Sequence, residues 1–325
     1  METNRSVCGV VLVLCVAFAV LSLARLRTAG AQEDDAQTKG APIVERLREA
    51  IAREDKFAAW DALAELEALI PDDGRMPKLR EEVAAVPGPE KELTLDLGNG
   101  VTLELVAIRP GMFVMGSPDD ERGRDTDEGP RHRVNITQPF YMGKNEVTQA
   151  QYEAVMGENP SAAKGADLPV ETVSWQLARE FCRKLNEMVA REVRLPTEAE
   201  WEYACRAGTR TMYSFGDDLD AIGEHAWYDG NSEGTPHPVG QKPANPWGLH
   251  DMHGNVREWC QDAYDAAYYA RSPRSDPPGP ATGSTGVIRG GSWRHSRITA
   301  RCAGRYGGVQ GAVDYSGFRL VVPIP

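Results

Sequence analysis

The residues of this chain best able to do chemistry are its cysteines, a spaced histidine pair, and arginines set among aromatics near the C-terminus. Cys182, Cys205, Cys260 and Cys302 lie too far apart for a CxxC metal knuckle. An oxidising compartment would permit disulfides, and spacing alone leaves all three complete pairings open. His250 and His253 form an H-x-x-H. Zinc needs further ligands on a rigid frame, so surface or packing roles are expected for both. Trp293, Arg294, His295, Arg301, Arg305, Tyr306 and Tyr315 are of the types that grasp carboxylates, peptide backbone or sugar faces. The competing role for Arg301, Arg305 and Arg319 is ion pairing with the protein's own acids.

Those acids are abundant. The 325 residues carry a formal net charge of -12, which argues against nucleic acid as a partner, because duplex binding rests on Lys and Arg neutralising phosphates. An acidic surface suits solubility and the binding of cations. Seven Trp and 32 Gly point to a loop-rich globular protein.

The elements that must position these residues fall into three stretches. In residues 1–31, Val7 to Ala24 is free of charge and Ala29-Gly30-Ala31 offers an A-x-A cleavage site. The stretch reads as a signal peptide, with an uncleaved N-terminal membrane anchor as the alternative. The expected location is therefore exported: periplasmic or extracellular, and membrane-anchored if the signal is retained. Residues 32–89 read as two or three short helices, forming a helical hairpin, and a linker. Ile43, Leu47 and Ile51 step by four, and Leu63, Leu66 and Ile70 by three and four, each set marking one helical face. A single hairpin cannot bury such a face alone, so packing against the main domain or a partner is expected. Pro87-Gly88-Pro89 forms the linker.

Residues 93–325 alternate short strands, turns and two convincing helices. Thr102 to Val106 alternates as a strand, and Gly111 to Met115 follows a turn as another. Ser174 caps a helix bearing Leu177, Phe181 and Leu185. Thr197 and Glu200 form a capping box at the start of a second helix, which Gly208 is expected to close.

The order of motifs in this last stretch resembles the formylglycine-generating enzyme (sulfatase-modifying factor) family. The motifs are Met112-Phe113-Val114-Met115-Gly116-Ser117, Glu146-Val147-Thr148, Val173-Ser174-Trp175, and Arg194-Leu195-Pro196-Thr197-Glu198-Ala199-Glu200-Trp201-Glu202-Tyr203. Trp247-Gly248-Leu249, Gly254-Asn255-Val256, Glu258-Trp259, Arg289-Gly290-Gly291-Ser292-Trp293, Arg301-Cys302-Ala303-Gly304-Arg305 and Gly317-Phe318-Arg319 complete the series. The resemblance implies an α+β, C-type-lectin-like domain with little regular secondary structure. It implies calcium ligation by Asp251 and Glu258 side chains and by the Gly254 and Val256 carbonyls, a chemistry that suits a hard cation. It implies a disulfide between Cys205 and Cys302, and leaves Cys182 without its family partner. It places Trp293, Arg294, His295, Arg301, Arg305, Tyr306 and Tyr315 along the substrate groove.

The departure from the family is equally specific. Its active enzymes carry paired copper-binding cysteines between the Gly-Gly-Ser turn and the Arg-Cys-Ala strand, and here Trp293 to Ala300 contains none. Copper needs soft ligands and is not expected, so no catalytic residue is assigned. The resulting expectation is an exported binding or scaffold module, calcium-stabilised, with an acidic or extended protein or peptide partner. The alternatives are a formylglycine-generating oxidase acting on sulfatase cysteine, and an oxidoreductase of altered chemistry as in siderophore maturation.

Overall fold

The computed structural model describes residues 38–70, 73–308, 311 and 313–325. The candidate signal or anchor lies outside the described residues. Among the described residues no helix is long and apolar enough to cross a membrane. The chain divides into two compact units, with the boundary between Pro89 and Glu90.

The first unit holds helix α1 (residues 38–52), α2 (Lys56–Leu69) and α3 (Met76–Ala84). Asp55 caps α2 by accepting the Ala58 N–H at 3.0 Å. Ile43, Val44, Leu47 and Ala50 meet Ala59, Ala62 and Leu66 of α2 and Met76, Leu79 and Val83 of α3. A third helix, which the sequence left open, supplies another wall, and the three helices share one core. The inner face of α2 is also rotated from the expected one. Ala59, Ala62 and Leu66 are buried, while Leu63 and Ile70 sit partly covered at its edge.

The second unit has little regular structure but three small sheets. Strands β1 (Glu92–Asp96), β2 (Thr102–Ile108), β5 (Phe140–Gly143) and β10 (Val321–Pro323) form one antiparallel sheet in that order. Strands β3 (Gly111–Met115) and β4 (His132–Ile136) form a two-stranded sheet. The third sheet runs β8 (Arg305–Gly307), β7 (Gly286–Arg289), β6 (Arg257–Ala263), β9 (Ser316–Gly317), with β6 and β9 parallel. Helices α4 (Gln149–Met156), α5 (Trp175–Val189) and α6 (Glu198–Arg206) pack against these, and a single turn, α7, spans Ile222–His225.

Local sequence explains the helix ends. Thr148, Ser174 and Thr197 each place a side-chain oxygen on a backbone N–H of the first turn. At Thr197 the Glu200 side chain completes the reciprocal capping box. The left-handed residue that ends α6 is Ala207, at φ 44°, with Gly208 following it, so the closure comes one residue earlier than the glycine suggested. The main core gathers Tyr152, Phe181, Leu185, Trp259, Ile288 and Phe318. A second cluster around Trp201, Cys205, Met252 and Cys302 lies on the other side of the third sheet.

Candidate functional site

The third sheet sorts the C-terminal arginines by face. Across its strands Glu258 pairs with Arg289, and Arg289 with Arg305. Successive side chains on a strand point to opposite faces, so these three share one face and Arg257 belongs to the other. Helix α6 lies on the first face, and there Arg305 takes both oxygens of Glu198, at 2.6 and 2.9 Å. Arg289 pairs with Glu202, which also holds Arg206 at 2.9 Å. Burial works against the Glu198 charge, but Arg305 and Arg289 outweigh it and hold its carboxyl below the ordinary value.

Arg301 and Arg305 are therefore not groove residues. Arg305 is fully buried in the ion pair just described. Arg301 is fully buried between Glu121 at 2.7 Å and Glu128 at 2.5 Å, and donates to the Gly123 carbonyl at 2.6 Å. Their guanidinium groups are spent on the protein's own carboxylates.

The remaining predicted groove residues do come together. Trp293 is half-buried, and its ring N–H donates to the Asp314 carbonyl at 3.1 Å. Arg294 pairs with the Asp314 carboxylate at 2.7 Å. The His295 ring packs edge-on against Tyr315 at 4.7 Å. Burial, then the charges of Arg257 and Arg294, push His295 down to about 4, so its ring is neutral near pH 7.

A residue that the motif reading passed over sits at the centre. Arg257 lies 4.0 Å over the Tyr306 ring and 5.9 Å from that of Tyr315. Among the described residues no carboxylate pairs with it, and its Nε is shut off from solvent with no acceptor. Burial pushes its guanidinium below the ordinary arginine value. Its register partner in β9, Ser316, has a buried Oγ that also lacks a partner. The sequence signal was an arginine inside the Val256–Glu258 strand start, hidden between two residues assigned to calcium.

The expected calcium set is divided. Asp251 is buried, with Oδ2 accepting from the Gly240 N–H at 2.8 Å and Oδ1 without any partner. An orphaned carboxylate oxygen is what a hard cation would meet. Glu258, however, is bidentate to Arg319 at 2.6 and 2.7 Å and accepts from the Trp201 indole at 2.8 Å. Gly254 carries the tight approach to Trp227, where a Cβ would lie 2.3 Å from the Trp227 carbonyl oxygen. Glu146 lies beside them. Burial first, then the charges of Asp251 and Glu258, drive its carboxyl well above the ordinary value.

Cys205 and Cys302 are brought together as two buried thiols with their Sγ atoms 3.6 Å apart, and the bond itself is not formed. Cys182 and Cys260 are buried thiols in separate core clusters. His253 lies close to the first pair. Its Nδ1 meets the Ala300 carbonyl at 2.8 Å and its Nε2 accepts from the Ser214 N–H at 3.1 Å, a packing role. His250 is tied to the Lys242 carbonyl at 2.8 Å.

Residues 98–324 match the family described as sulfatase-modifying factor enzyme 1-like domain. The formylglycine-generating enzyme of Streptomyces coelicolor is 41% identical over 275 residues, covering 65% of this chain and 83% of that protein. The serine/threonine-protein kinase pkn1 of Chlamydia caviae is 32% identical over 246 residues, covering 66% of this chain. This chain spans only 37% of that relative's length. Among solved structures, Treponema denticola variable protein 1 superposes with a TM-score of 0.67 at 29% identity, covering 73% of this chain and all of the other.

Proposed function

Because this chain belongs to the sulfatase-modifying factor family, we propose that it uses that fold as a recognition module without redox chemistry. Its partner is an acidic, extended peptide segment bound over Arg257, Trp293, Arg294, His295, Tyr306 and Tyr315. The observation that carries this reading is Arg257. A shielded cation without a counter-ion is costly to keep, whereas Arg289, Arg301, Arg305 and Arg319 each have a carboxylate. A ligand carboxylate would complete Arg257 bidentately, while the surrounding aromatics supply the contact area typical of binding hot spots.

The lack of cysteine between Trp293 and Ala300 supports the same reading over formylglycine formation. Calcium, in this proposal, is held by Asp251 Oδ1 and the Gly254 and Val256 carbonyls, with Glu258 Oε1 sharing its remaining lone pair. It would fix the loop that leads into β6 and so into Arg257. Export belongs to the proposal too, resting on the apolar stretch from Val7 to Ala24.

The test is fluorescence anisotropy with labelled acidic, neutral and basic peptides of equal length, alongside mass spectrometry of a Cys-x-Pro-x-Arg peptide after incubation. Selective binding of the acidic peptide, lost in Arg257→Gln and in Trp293→Ala/Arg294→Ala, is expected. Equal binding of all three peptides, or conversion of the cysteine to formylglycine, would overturn it.

A further inference from the structure

We infer a second binding site, separate from the Arg257 groove: a cleft of about 540 Å³ between the β3–β4 sheet and the end of α6 that takes a small anion carrying an aromatic or other flat apolar group. Its volume is within the range of small-ligand sites, roughly 300–1,000 Å³.

The apolar floor is a run of edge-packed rings. Tyr203 lies 5.3 Å from Phe113 and 4.8 Å from Trp247. Gly111 is what lets Tyr203 reach the wall, since a Cβ there would sit 2.4 Å from its hydroxyl. That hydroxyl makes no hydrogen bond among the described residues, and burial pushes its pKa up to about 12, so it stays a donor at any physiological pH. Met112, 69% exposed, overhangs one side. It is an adaptable thioether of the kind that suits flat ligands.

The polar part has one sign. Among the described residues Arg109, Arg133, Arg206 and Arg210 line the cleft and no Asp or Glu does, in a chain of net charge -12. Arg206 is turned inward to Glu202 and to the Gly116 carbonyl, so it is committed to the fold and not to a ligand. Arg109 is stacked 5.7 Å from the Trp247 ring. Arg133, facing Val114 across the β3–β4 register, and Arg210, just past α6, are exposed and have no ion pair among the described residues. Two uncommitted guanidinium groups, a hydroxyl donor and a ring floor select an anion with a stacking group. A neutral aromatic would leave the donors unanswered, and a bare inorganic anion would leave the floor wet.

The probe is anilinonaphthalenesulfonate, an aromatic anion, with N-phenyl-1-naphthylamine as its uncharged counterpart. The full chain should bind the anion at one saturable site that weakens with added salt, and bind the neutral amine far less. Arg133→Glu/Arg210→Glu should weaken the anion by about tenfold or more while circular dichroism and melting stay as in the wild type. The milder Arg210→Ala gives the reading if the double variant melts early. Arg257→Gln should leave probe binding intact, which separates this cleft from the proposed peptide groove. No saturable binding, binding unchanged in both cleft variants, or loss confined to Arg257→Gln would overturn the inference.

Discussion

Arg257 of β6 and Ser316 of β9 are register partners whose buried Nε and Oγ atoms both lack a hydrogen-bond partner among the described residues. A side chain kept for stability would be expected to satisfy these atoms. Replacing Arg257 by Met removes the charge, and with it the guanidinium that lies over Tyr306, while keeping much of the aliphatic stem. Arg257→Met should therefore melt at the same temperature as the wild type or higher, and should lose the acidic peptide. A lowered melting temperature would identify Arg257 as a structural residue.

The thiols of Cys205 and Cys302, 3.6 Å apart, are placed to bond in an oxidising compartment. The closed loop would span 97 residues, and on chain-entropy grounds such a bridge is worth roughly 4–5 kcal/mol. Peptide mapping without reductant should find this cross-link in protein recovered from outside the cytoplasm, with Cys182 and Cys260 still free. Two free thiols at 205 and 302 in that material would count against both the bridge and export.

Glu198 holds Arg305 by both oxygens and lies 3.5 Å from the Arg289 Nε. Glu198→Ala strands buried cations and should cost about 3–5 kcal/mol in chemical denaturation. A loss below about 1 kcal/mol, the level of an exposed pair, would show that the network is not a stability element.

Calcium should raise the melting temperature of protein stripped of metal, since a ligand held only by the native state adds about 2.7 kcal/mol at a hundredfold excess over Kd. Asp251→Ala, which removes the orphaned oxygen altogether, should erase the difference between calcium and chelator. Coincident melting curves for wild type in both conditions would leave Asp251 as a loop anchor to Gly240.

His253 sets a pH dependence. Burial pushes it down to about 4 from 6.5, and its Nε2 must stay unprotonated to accept from Ser214. The unfolded chain takes up this proton first, so stability present above pH 6.5 is lost as pH falls toward 4, by about 3 kcal/mol in all. His253→Gln should flatten the denaturation midpoint across that window. Superimposable profiles would assign the acid limb to other groups.

The sequence revealed what is local. Capping residues fixed the starts of α5 and α6, and alternation fixed β2, because those signals act within a few positions. The fates of the arginines were not legible. Arg301 finds Glu121 and Glu128 at separations of 180 and 173 residues, and Arg305 finds Glu198 at 107. Residue type cannot tell a guanidinium held by a distant acid from one left for a ligand. Arg257 differs from Arg305 in facing the other side of the sheet the two share.

Arg289 and Arg301, each fully buried and ion-paired, bracket the segment from Gly290 to Ala300. The chain on either side is clamped by buried charges, and the segment's backbone is itself tied to the fold, the Trp293 N–H donating to the Asn255 carbonyl and the Asp229 N–H to the His295 carbonyl. Side chains at Trp293, Arg294 and Ser296 can then be exchanged without loosening those clamps. In engineering terms the two arginines are the fixed posts of an interchangeable loop, and specificity can be rewritten between them at little cost to the frame.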